Sequence, residues 1–534
     1  ADGLVHFFRA VDGHEVVNFM PRTTWQRVSR GAYAVDGPLT VADVAACRSL
    51  GAGRRDCPAE ADALTFRTVL AGGVGRGGAN LFGLDVTGLT TLAAADQDAQ
   101  PLFAPQVWPV GQTNTGAWDV TNSEQDYLGY FDGKLGRSVS RPLVTHVRRV
   151  NGPDTEIVGA VIVGCGDDPV PATAVVARPD GVGRCVLVLD ALTGHLIRKF
   201  DNDDGVTGEA PLTFPVTGSP AAWPLAGIAA SDRAYIGDRA GQLWRMDLRD
   251  GDPANWSMER IWPKSIDPLA AGYPLGKPVV DRPTVALDEN GELVVVFGTG
   301  DGGNADDRSM VISLSDRAVL DVANGALAFQ AKANWKLPLN AGEYLTGSPL
   351  VRGKLAFFTT AEPRANDLCV SAQGRLYGVH YTDVLSDNQT FKKGGNDVNV
   401  VPSLPKLDEN NNRESNALSL LLPPGRLAFG LAITLTPSCI EGGSPTTDIV
   451  LNLADEDSGA KGAIQKDATK IEVVNNQRQI AVEDLDGSVF LTTGTNTLSI
   501  CLDCDRSGRH NAGQSLRVGP FPSVVVSWGS TFTR

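Results

Sequence analysis

The sequence of 534 residues lacks any long uncharged apolar run. It therefore predicts no transmembrane helix, which needs about 18 or more such residues. It also lacks a basic excess, since 47 Lys and Arg stand against 62 Asp and Glu, for a net charge of −15. Because nucleic-acid binding needs basic patches that neutralise phosphates, this balance argues against a nucleic-acid partner. The first residues, ADGLVHFFRA, begin without Met and carry no basic region, so we expect a processed chain or a fragment rather than a signal peptide.

Motifs of catalysis and of phosphate binding are also missing. Neither HExxH nor GxSxG occurs, and the six histidines stand singly. The stretch GGVGRGG at 72–78 resembles a phosphate-binding loop, but such a loop leads from a strand into a helix. Here it leads into the alternating LFGLDV, which favours a wide hairpin turn. A catalytic triad could still assemble in space, but nothing in the sequence points to one.

Cysteine is scarce, at eight residues, and sequence alone leaves many pairings open. Close spacing in loop-like stretches favours local disulfides and an oxidising compartment. The predicted pairs are Cys47–Cys57, Cys165–Cys185 and Cys501–Cys504, with Cys369–Cys439 as the fourth. The alternative for the CxxC at 501–504 is a zinc site, for which only His510 lies near as a further ligand.

What the chain does contain is a repeated pattern, and its 59 Gly and 32 Pro suit many short strands joined by turns. The pattern is an apolar run, a Gly-rich turn and an alternating strand that ends near Asp. It recurs at 68–88, 161–194, 234–248, 293–316 and 354–383, with a weaker copy at 479–493 and half a copy at 1–13. Most copies follow a Pro placed just before a short apolar strand, where a strand tolerates Pro.

Repeated antiparallel sheets with turn signals are typical of a β-propeller. We predict an all-β fold in which residues 1–534 form a single irregular propeller of about seven blades. Long insertions are expected at 90–132 and 387–417. Residues 1–20 are expected to close the last blade with the C-terminal strands, because closure removes exposed sheet edges.

The copy AYIGDRAGQLWRMDL, at 234–248, is the clearest hairpin. Alternation places Trp244, Met246 and Leu248 on one apolar face, which should pack against a neighbouring blade. Asp238 is expected to accept hydrogen bonds from backbone amides of its own turn. The residues predicted to be structural are Gly237, Asp238, Gly241, Trp244 and Asp247.

Taken in order, these phrases resemble the C-terminal β-propeller of the PilY family, large proteins at the tip of bacterial type IV pili. The matching phrases include ADGLVHFFRAVDGHEVVNFMP, AVDGPLTVADV, FRTVLAGGVGRGGANLFGLDVTG, YIGDRAGQLWRMDL, VVVFGTGDGG and GSPLVRGKLAFFTT with GRLYGV. They cover roughly residues 1–380, whereas 400–534 match poorly.

The resemblance implies an extracellular, pilus-tip or cell-surface module that works without catalysis and needs no cofactor. It would contact minor pilins and a host or abiotic surface, and support pilus assembly and retraction, adhesion and twitching motility. The alternative is a quinoprotein-type dehydrogenase that uses pyrroloquinoline quinone, because GDxxGxLWxxD also resembles that family's repeat. The irregular placing of nine Trp and the absence of a Cys-Cys pair argue against it. A carbohydrate-binding surface propeller is compatible with the pilus-tip interpretation.

Many members of the PilY family carry a DxDxDG calcium loop before the strand that reads YxGD. Here the corresponding stretch offers no carboxylate, so the resemblance implies that this calcium site is lost. The ligand positions hold Ala221, Ala222, Trp223, Pro224, Leu225 and Ala226. Two other stretches resemble oxygen-rich calcium loops, with solvated turns as the competing interpretation. Their ligands would be Asp503, Asp505 and Ser507 in one, and Asp201, Asp203 and Asp204 in the other.

Overall fold

The structure is a computed structural model, and it describes the greater part of the chain. The described residues are 3–9, 12–21, 24–30, 35–46, 48–50, 54–56, 65–87, 106–107, 134–151, 154–168, 181–224, 230–300, 309–320, 327–362, 372–385, 391–393, 396–407, 413–422, 426–436, 446–455, 470–474, 477–483, 489–492 and 497–501.

Regular structure in these residues is almost entirely β, which confirms the predicted all-β class. The helical elements among them are the four-residue helix α1 (Trp25–Val28) and the 3-10 turns Pro253–Asn255 and Pro268–Ala270. None of the described helices has the length and hydropathy that crossing a membrane requires. The described residues divide into a first unit, up to Ile266 with Gly272–Arg282, and a second unit, Asp267–Ala271 with residues between Pro283 and Ser523.

The first unit contains a hairpin and three larger antiparallel sheets. The hairpin pairs β1 (Val5–Phe8) with β2 (Glu15–Phe19). The next sheet has the order β3-β6-β7-β8 and carries the small hairpin β4-β5. Its strands are β3 (Leu39–Ala46), β4 (Arg48–Leu50), β5 (Arg54–Asp56), β6 (Thr65–Gly73), β7 (Leu81–Asp85) and β8 (Gln106–Val107).

Two further sheets of the first unit follow in chain order. One has the order β9-β10-β11-β12, and the other is β14-β15-β16-β17 with β13 parallel to β17 at its edge. The strands are β9 (Leu143–Asn151), β10 (Asp154–Gly164), β11 (Val186–Asp190), β12 (Leu196–Phe200), β13 (Val206–Thr207), β14 (Ala221–Trp223), β15 (Arg233–Gly237), β16 (Leu243–Asp247) and β17 (Ser257–Trp262).

The second unit begins with two sheets of the same kind. The first has the order β18-β19-β20-β21. The second has the order β22-β24-β25-β28, where β23 also pairs with β24 and β31 with β25. The strands are β18 (Thr284–Leu287), β19 (Leu293–Gly298), β20 (Met310–Leu320), β21 (Leu327–Pro338), β22 (Tyr344–Leu345), β23 (Leu350–Arg352), β24 (Leu355–Glu362), β25 (Gln373–Val384), β26 (Phe391–Lys393), β27 (Asn396–Val398), β28 (Val400–Pro402), β29 (Leu404–Leu407), β30 (Arg413–Ala417) and β31 (Ser419–Leu421).

The hairpins β26-β27 and β29-β30 fall within the predicted insertion 387–417. A last sheet of six strands has the order β32-β33-β37-β36-β35-β34. Its strands are β32 (Arg426–Thr436), β33 (Thr446–Asp455), β34 (Lys470–Val474), β35 (Gln477–Glu483), β36 (Val489–Thr492) and β37 (Thr497–Cys501).

The sheets of four strands that follow one another up and down are the pattern of propeller blades. The described residues contain six sheets of four or more strands. The count of seven blades and the closure by residues 1–20 remain predictions, as do the two insertions as domain boundaries. The C-terminal residues 502–534, and most of the insertion 90–132, lie outside the described residues.

A glycine is the last residue of the second strand in four sheets, and its close contacts explain why the apolar run of the repeat ends in Gly. A Cβ added at these positions would meet an atom of the chain that leads into, or begins, the next sheet, at 2.2–2.5 Å. Real Cβ atoms essentially never approach that closely. The four glycines and the residues that they meet are Gly73 with Ser138, Gly164 with Val216, Gly237 with Val279, and Gly298 with Leu345. At each of these four positions, only glycine allows this close approach.

Candidate functional site

The hairpin of β15 and β16 is organised around the carboxylate of Asp238. Its Oδ1 accepts hydrogen bonds from the backbone N–H of Ala240 and of Gln242, each at 2.9 Å. Its Oδ2 accepts from Gln242 Nε2 at 2.9 Å and from Trp244 Nε1 at 3.0 Å. The side chain has no exposed surface. All the donors come from its own hairpin, so the carboxylate holds the turn and the following strand together.

Burial and hydrogen bonding act in opposite directions on this carboxyl. Burial raises the pKa of Asp238 to about 6, although the donors from Trp244, Gln242 and Ala240 favour the ionised form. Neutral donors solvate the charge but do not cancel it. With its oxygens fully occupied and no open side, the carboxylate has no room to meet a substrate or a metal ion.

Gly241 completes the turn in a conformation that favours glycine. Its φ is +90°, and an added Cβ would lie 2.4 Å from the carbonyl oxygen of Lys277. Its own carbonyl accepts a hydrogen bond from Tyr273 Oη at 2.8 Å. The position therefore needs glycine both for its backbone angle and for the close approach of the 270s segment.

The two faces of β16 separate as the alternation predicts. Trp244 and Met246, with Leu248 just beyond the strand, are fully buried. They belong to one apolar cluster with Val186 and Val188 of the preceding sheet. The face that carries Trp244 therefore forms the core between two successive sheets of the first unit.

The other face carries charged side chains that are paired within the sheet. Arg245 donates to Glu259 Oε2 of β17 at 2.7 Å. Asp247 pairs with Arg249, whose Nη2 lies 2.6 Å from Asp247 Oδ2 and whose backbone N–H donates to Oδ1 at 3.2 Å. These contacts stabilise the strand end and leave no unpaired cluster of catalytic type.

The Asp at the end of the repeated phrase has the same local role in three sheets. Asp85 accepts from the backbone N–H of Thr87 at 3.0 Å, and Asp190 accepts from that of Leu192 at 2.9 Å. Asp247 accepts in the same way from Arg249. An aspartate that bonds the amide two residues ahead starts a turn, so the repeated Asp marks where each strand ends.

One disulfide is present in the described residues, at the predicted pair Cys165–Cys185. It joins the end of β10 to the start of β11, and both cysteines are fully buried in an apolar cluster. The side chain of Cys501 is not described, and the other cysteines of the predicted pairs lie outside the described residues. They are Cys47, Cys57, Cys369, Cys439 and Cys504.

The aspartates at 201–204 are held by cations. Asp201 Oδ2 lies 3.0 Å from Lys134 Nζ and 3.1 Å from Lys199 Nζ. Lys134 also contacts Asp203 at 2.8 Å, while Asp204 pairs with Arg198 at 2.9 Å. Burial opposes the effect, but the two lysines lower the pKa of Asp201 overall. Calcium would have to displace these ammonium and guanidinium groups.

The sequence raises two further positions for a metal site: the position of the family's calcium loop and the loop that contains Asp503. Where the family's calcium loop would lie, Ala221–Trp223 forms β14 and pairs with Arg233–Tyr235 of β15. Leu225 and Ala226 lie outside the described residues, as do Asp503, Asp505 and Ser507. Within the described residues, no group of three or more His, Cys, Asp or Glu side chains is arranged to hold a metal ion.

Sequence reasoning missed a second buried carboxylate, in the second unit. Glu343 is fully buried and accepts hydrogen bonds from Thr360 Oγ1 and Tyr377 Oη, each at 2.7 Å. Its Oε2 also accepts from the backbone N–H of Asn340 at 2.9 Å. The surrounding LNAGEY carries no motif, so no local signal could have identified it.

Part of the chain is similar in sequence to type IV pilus biogenesis factors. No family model matches the chain. A type IV pilus biogenesis factor PilY1 homologue of Xylella fastidiosa is 26% identical over 313 residues, which are 56% of this chain and 19% of the relative. Type IV pilus biogenesis factor PilY1 of Pseudomonas aeruginosa is 26% identical over 329 residues, or 56% of this chain and 23% of the relative.

Among solved structures, the crystal structure of the Pseudomonas aeruginosa PilY1 C-terminal domain aligns with 84% of this chain and 89% of that domain, at 17% identity and a TM-score of 0.47. The chain spans about a fifth of the length of the curated relatives that it matches.

The described strands define an all-β protein built from repeated, propeller-type antiparallel sheets. Over about half of its length, the chain is homologous to the type IV pilus biogenesis factor PilY1. The predicted resemblance to the PilY family is thereby confirmed.

Proposed function

We propose that this chain is a non-catalytic module of a type IV pilus biogenesis factor. It acts outside the cytoplasm, at the pilus tip or cell surface, and supports pilus assembly and retraction, surface adhesion and twitching motility. The observation that carries the proposal is the sequence match to PilY1 proteins of two organisms over 56% of the chain. Its partners are minor pilins and a host or abiotic surface.

Two features of the described residues support this proposal. The clearest hairpin of the repeat directs its polar groups inward, so that Asp238 stabilises the fold and is closed to any substrate. The buried Cys165–Cys185 bridge suits a protein that folds in an oxidising compartment. Neither feature requires a cofactor.

The proposal is tested in the bacterium that encodes the chain. Deleting the segment should abolish or strongly reduce surface pili and twitching, and expression of the parent sequence in trans should restore both. Co-purification of the fragment with minor pilins tests the partner directly. Normal piliation and motility after deletion would contradict the proposal.

The quinoprotein alternative is tested with the purified chain. Pyrroloquinoline quinone and calcium are added together with alcohol or sugar substrates and an electron-accepting dye. Because the proposed module is non-catalytic, we expect no quinone-dependent reduction of the dye. Turnover that requires the quinone would show that the chain is an enzyme and would contradict the proposal.

A further inference from the structure

Three successive sheets begin in the same way, with a proline that follows a polar residue. Arg141 and Pro142 precede β9, Ser219 and Pro220 precede β14, and Arg282 and Pro283 precede β18. The polar residue therefore occupies the equivalent position at the start of each sheet. Two of the three positions carry a guanidinium group.

Hydrogen bonds within the first unit bring these segments side by side. Ser140 Oγ donates to the carbonyl oxygen of Gly218 at 2.7 Å. The backbone N–H of Ser219 donates to the carbonyl oxygen of Val280 at 3.1 Å. Residues next to Arg141 thus contact residues next to Ser219, and Ser219 in turn contacts the segment that carries Arg282.

The packing between these segments is close. A Cβ added to Gly218 would lie 2.6 Å from the carbonyl oxygen of Gly237 and 2.7 Å from that of Val279. Backbone contacts therefore fix Ser219 relative to the segment that carries Arg282. The Ser140 hydroxyl links the segment that carries Arg141 to Gly218.

The charged groups at these positions lack partners in the structure. Arg282 Nε is buried and has no hydrogen-bond partner. In the part of the chain that the structure describes, no ion pair joins Arg141, Asp281 or Arg282 to any other group. Burial, together with the like charge of Arg141, lowers the pKa of Arg282 to about 10, so the guanidinium remains protonated at neutral pH.

Asp281 does not pair with either arginine, although it lies next to Arg282 in the chain. Burial raises the pKa of Asp281 to about 6, in spite of the positive charge of Arg141. Two guanidinium groups and one carboxylate leave a net positive charge. A partly buried charge without a protein partner is costly, and a planar guanidinium pairs best with two oxygens of a carboxylate or phosphate.

We propose that Arg141 and Arg282, with Ser219 between them, form a binding site for an oxyanion, a carboxylate or phosphate group of a ligand. The two arginines would bind its oxygens, and the Ser219 hydroxyl would donate a further hydrogen bond. Asp281 opposes the ligand's charge and limits its affinity. This site goes beyond the proposed pilus function and does not depend on it.

The test is calorimetric titration of the purified chain at constant ionic strength, with sodium acetate in one arm and inorganic phosphate in the other. We expect saturable binding of at least one anion. Arg282→Gln and Arg141→Gln should each weaken it tenfold or more, since each removes one guanidinium. Asp281→Asn should strengthen it several-fold, because it removes a competing charge. The matched control is Arg67→Gln, an exposed arginine of the same unit, which should leave the affinity unchanged.

The arms distinguish the source of the oxyanion. Tighter binding of acetate identifies a carboxylate ligand, such as an acidic peptide group, and tighter binding of phosphate identifies a phosphoryl ligand. Because Arg141 is exposed, its variant keeps the test informative if Arg282→Gln fails to fold. The proposal is overturned if neither anion binds, if Arg141→Gln binds like the parent, or if Asp281→Asn weakens binding.

Discussion

Two turns of the first unit use the same local chemistry and differ in what neutralises their aspartate. Asp201 accepts from the backbone N–H of Asp203 and Asp204, as Asp238 does from those of Ala240 and Gln242. Asp201 also contacts two lysines, and its pKa is lowered. Asp238 meets only neutral donors, and its pKa is raised.

Hydrogen bonds to neutral groups therefore hold a buried carboxylate in place without offsetting the cost of burying its charge. Both stretches carry aspartate next to glycine, so composition alone makes either resemble a metal loop. The contacts of each aspartate distinguish the two turns from metal-binding loops. The Asp201 turn has its countercharge in lysine, and the Asp238 turn is closed by its own hairpin.

The largest effect is expected where the hairpin joins the core. Trp244→Ala removes a fully buried side chain that also donates to Asp238. The free energy of unfolding should fall by about 3–5 kcal/mol, as for other buried Trp truncations. Urea unfolding followed by circular dichroism measures this, with the exposed Phe8→Ala as control. Equal stability of Trp244→Ala and the parent would contradict the placement of this strand.

Gly237→Ala tests the close contact between the end of β15 and Val279. The added methyl group would lie 2.2 Å from Val279 Cβ, so we expect a loss of about 2–3 kcal/mol from overpacking. Thermal unfolding measures it. Gly291→Ala is the control, because its added methyl meets nothing within 4 Å. That control should lose only about 1 kcal/mol, from its positive φ. Equal losses in the two variants would refute the contact.

Asp238→Asn tests the turn and its dependence on pH. Asn keeps one acceptor oxygen but turns an amide towards Trp244 Nε1, so a loss of about 1–3 kcal/mol is expected at pH 7. Because the folded pKa of Asp238 lies above its unfolded value, its contribution to stability is fully present below pH about 4. That contribution is lost as the pH rises through about 6.

The parent should therefore gain stability relative to Asp238→Asn as the pH falls from 7 to 4.5. Chemical unfolding of both proteins across this range measures the difference. A difference that does not change with pH would show that the carboxyl titrates normally.

Lys134→Gln tests the Asp201 turn. Its effect on the free energy of unfolding should be the smallest of the four, and its pH dependence should be opposite in sign to that of Asp238→Asn. Because the folded pKa of Asp201 is lowered, its pairing stabilises the protein above the unfolded pKa. That contribution is lost as the pH falls through the folded value. Losing one of the two lysines should cost about 1 kcal/mol at pH 7 and less below pH 4. If the loss of unfolding free energy in Lys134→Gln grows as the pH falls, the lowered pKa of Asp201 is wrong.

Local patterns predicted much of this fold. Alternation identified the faces of β16, and the Gly-Asp turn identified the role of Asp238, because both depend on residues close in sequence. Sequence could not assign the countercharge of Asp201, since Lys134 is 67 residues away. Sequence reasoning also missed the proximity of Arg141 and Arg282, which depends on hydrogen bonds between segments that are distant in sequence.

The Asp238 carboxylate is occupied by donors of its own hairpin, so the hairpin should form without metal. The most direct test is calorimetric calcium titration of chelator-treated protein, with Asp238→Asn and Asp503→Ala alongside. We expect any calcium binding to be the same in the parent and in Asp238→Asn. Micromolar binding that survives Asp503→Ala and disappears in Asp238→Asn would contradict it.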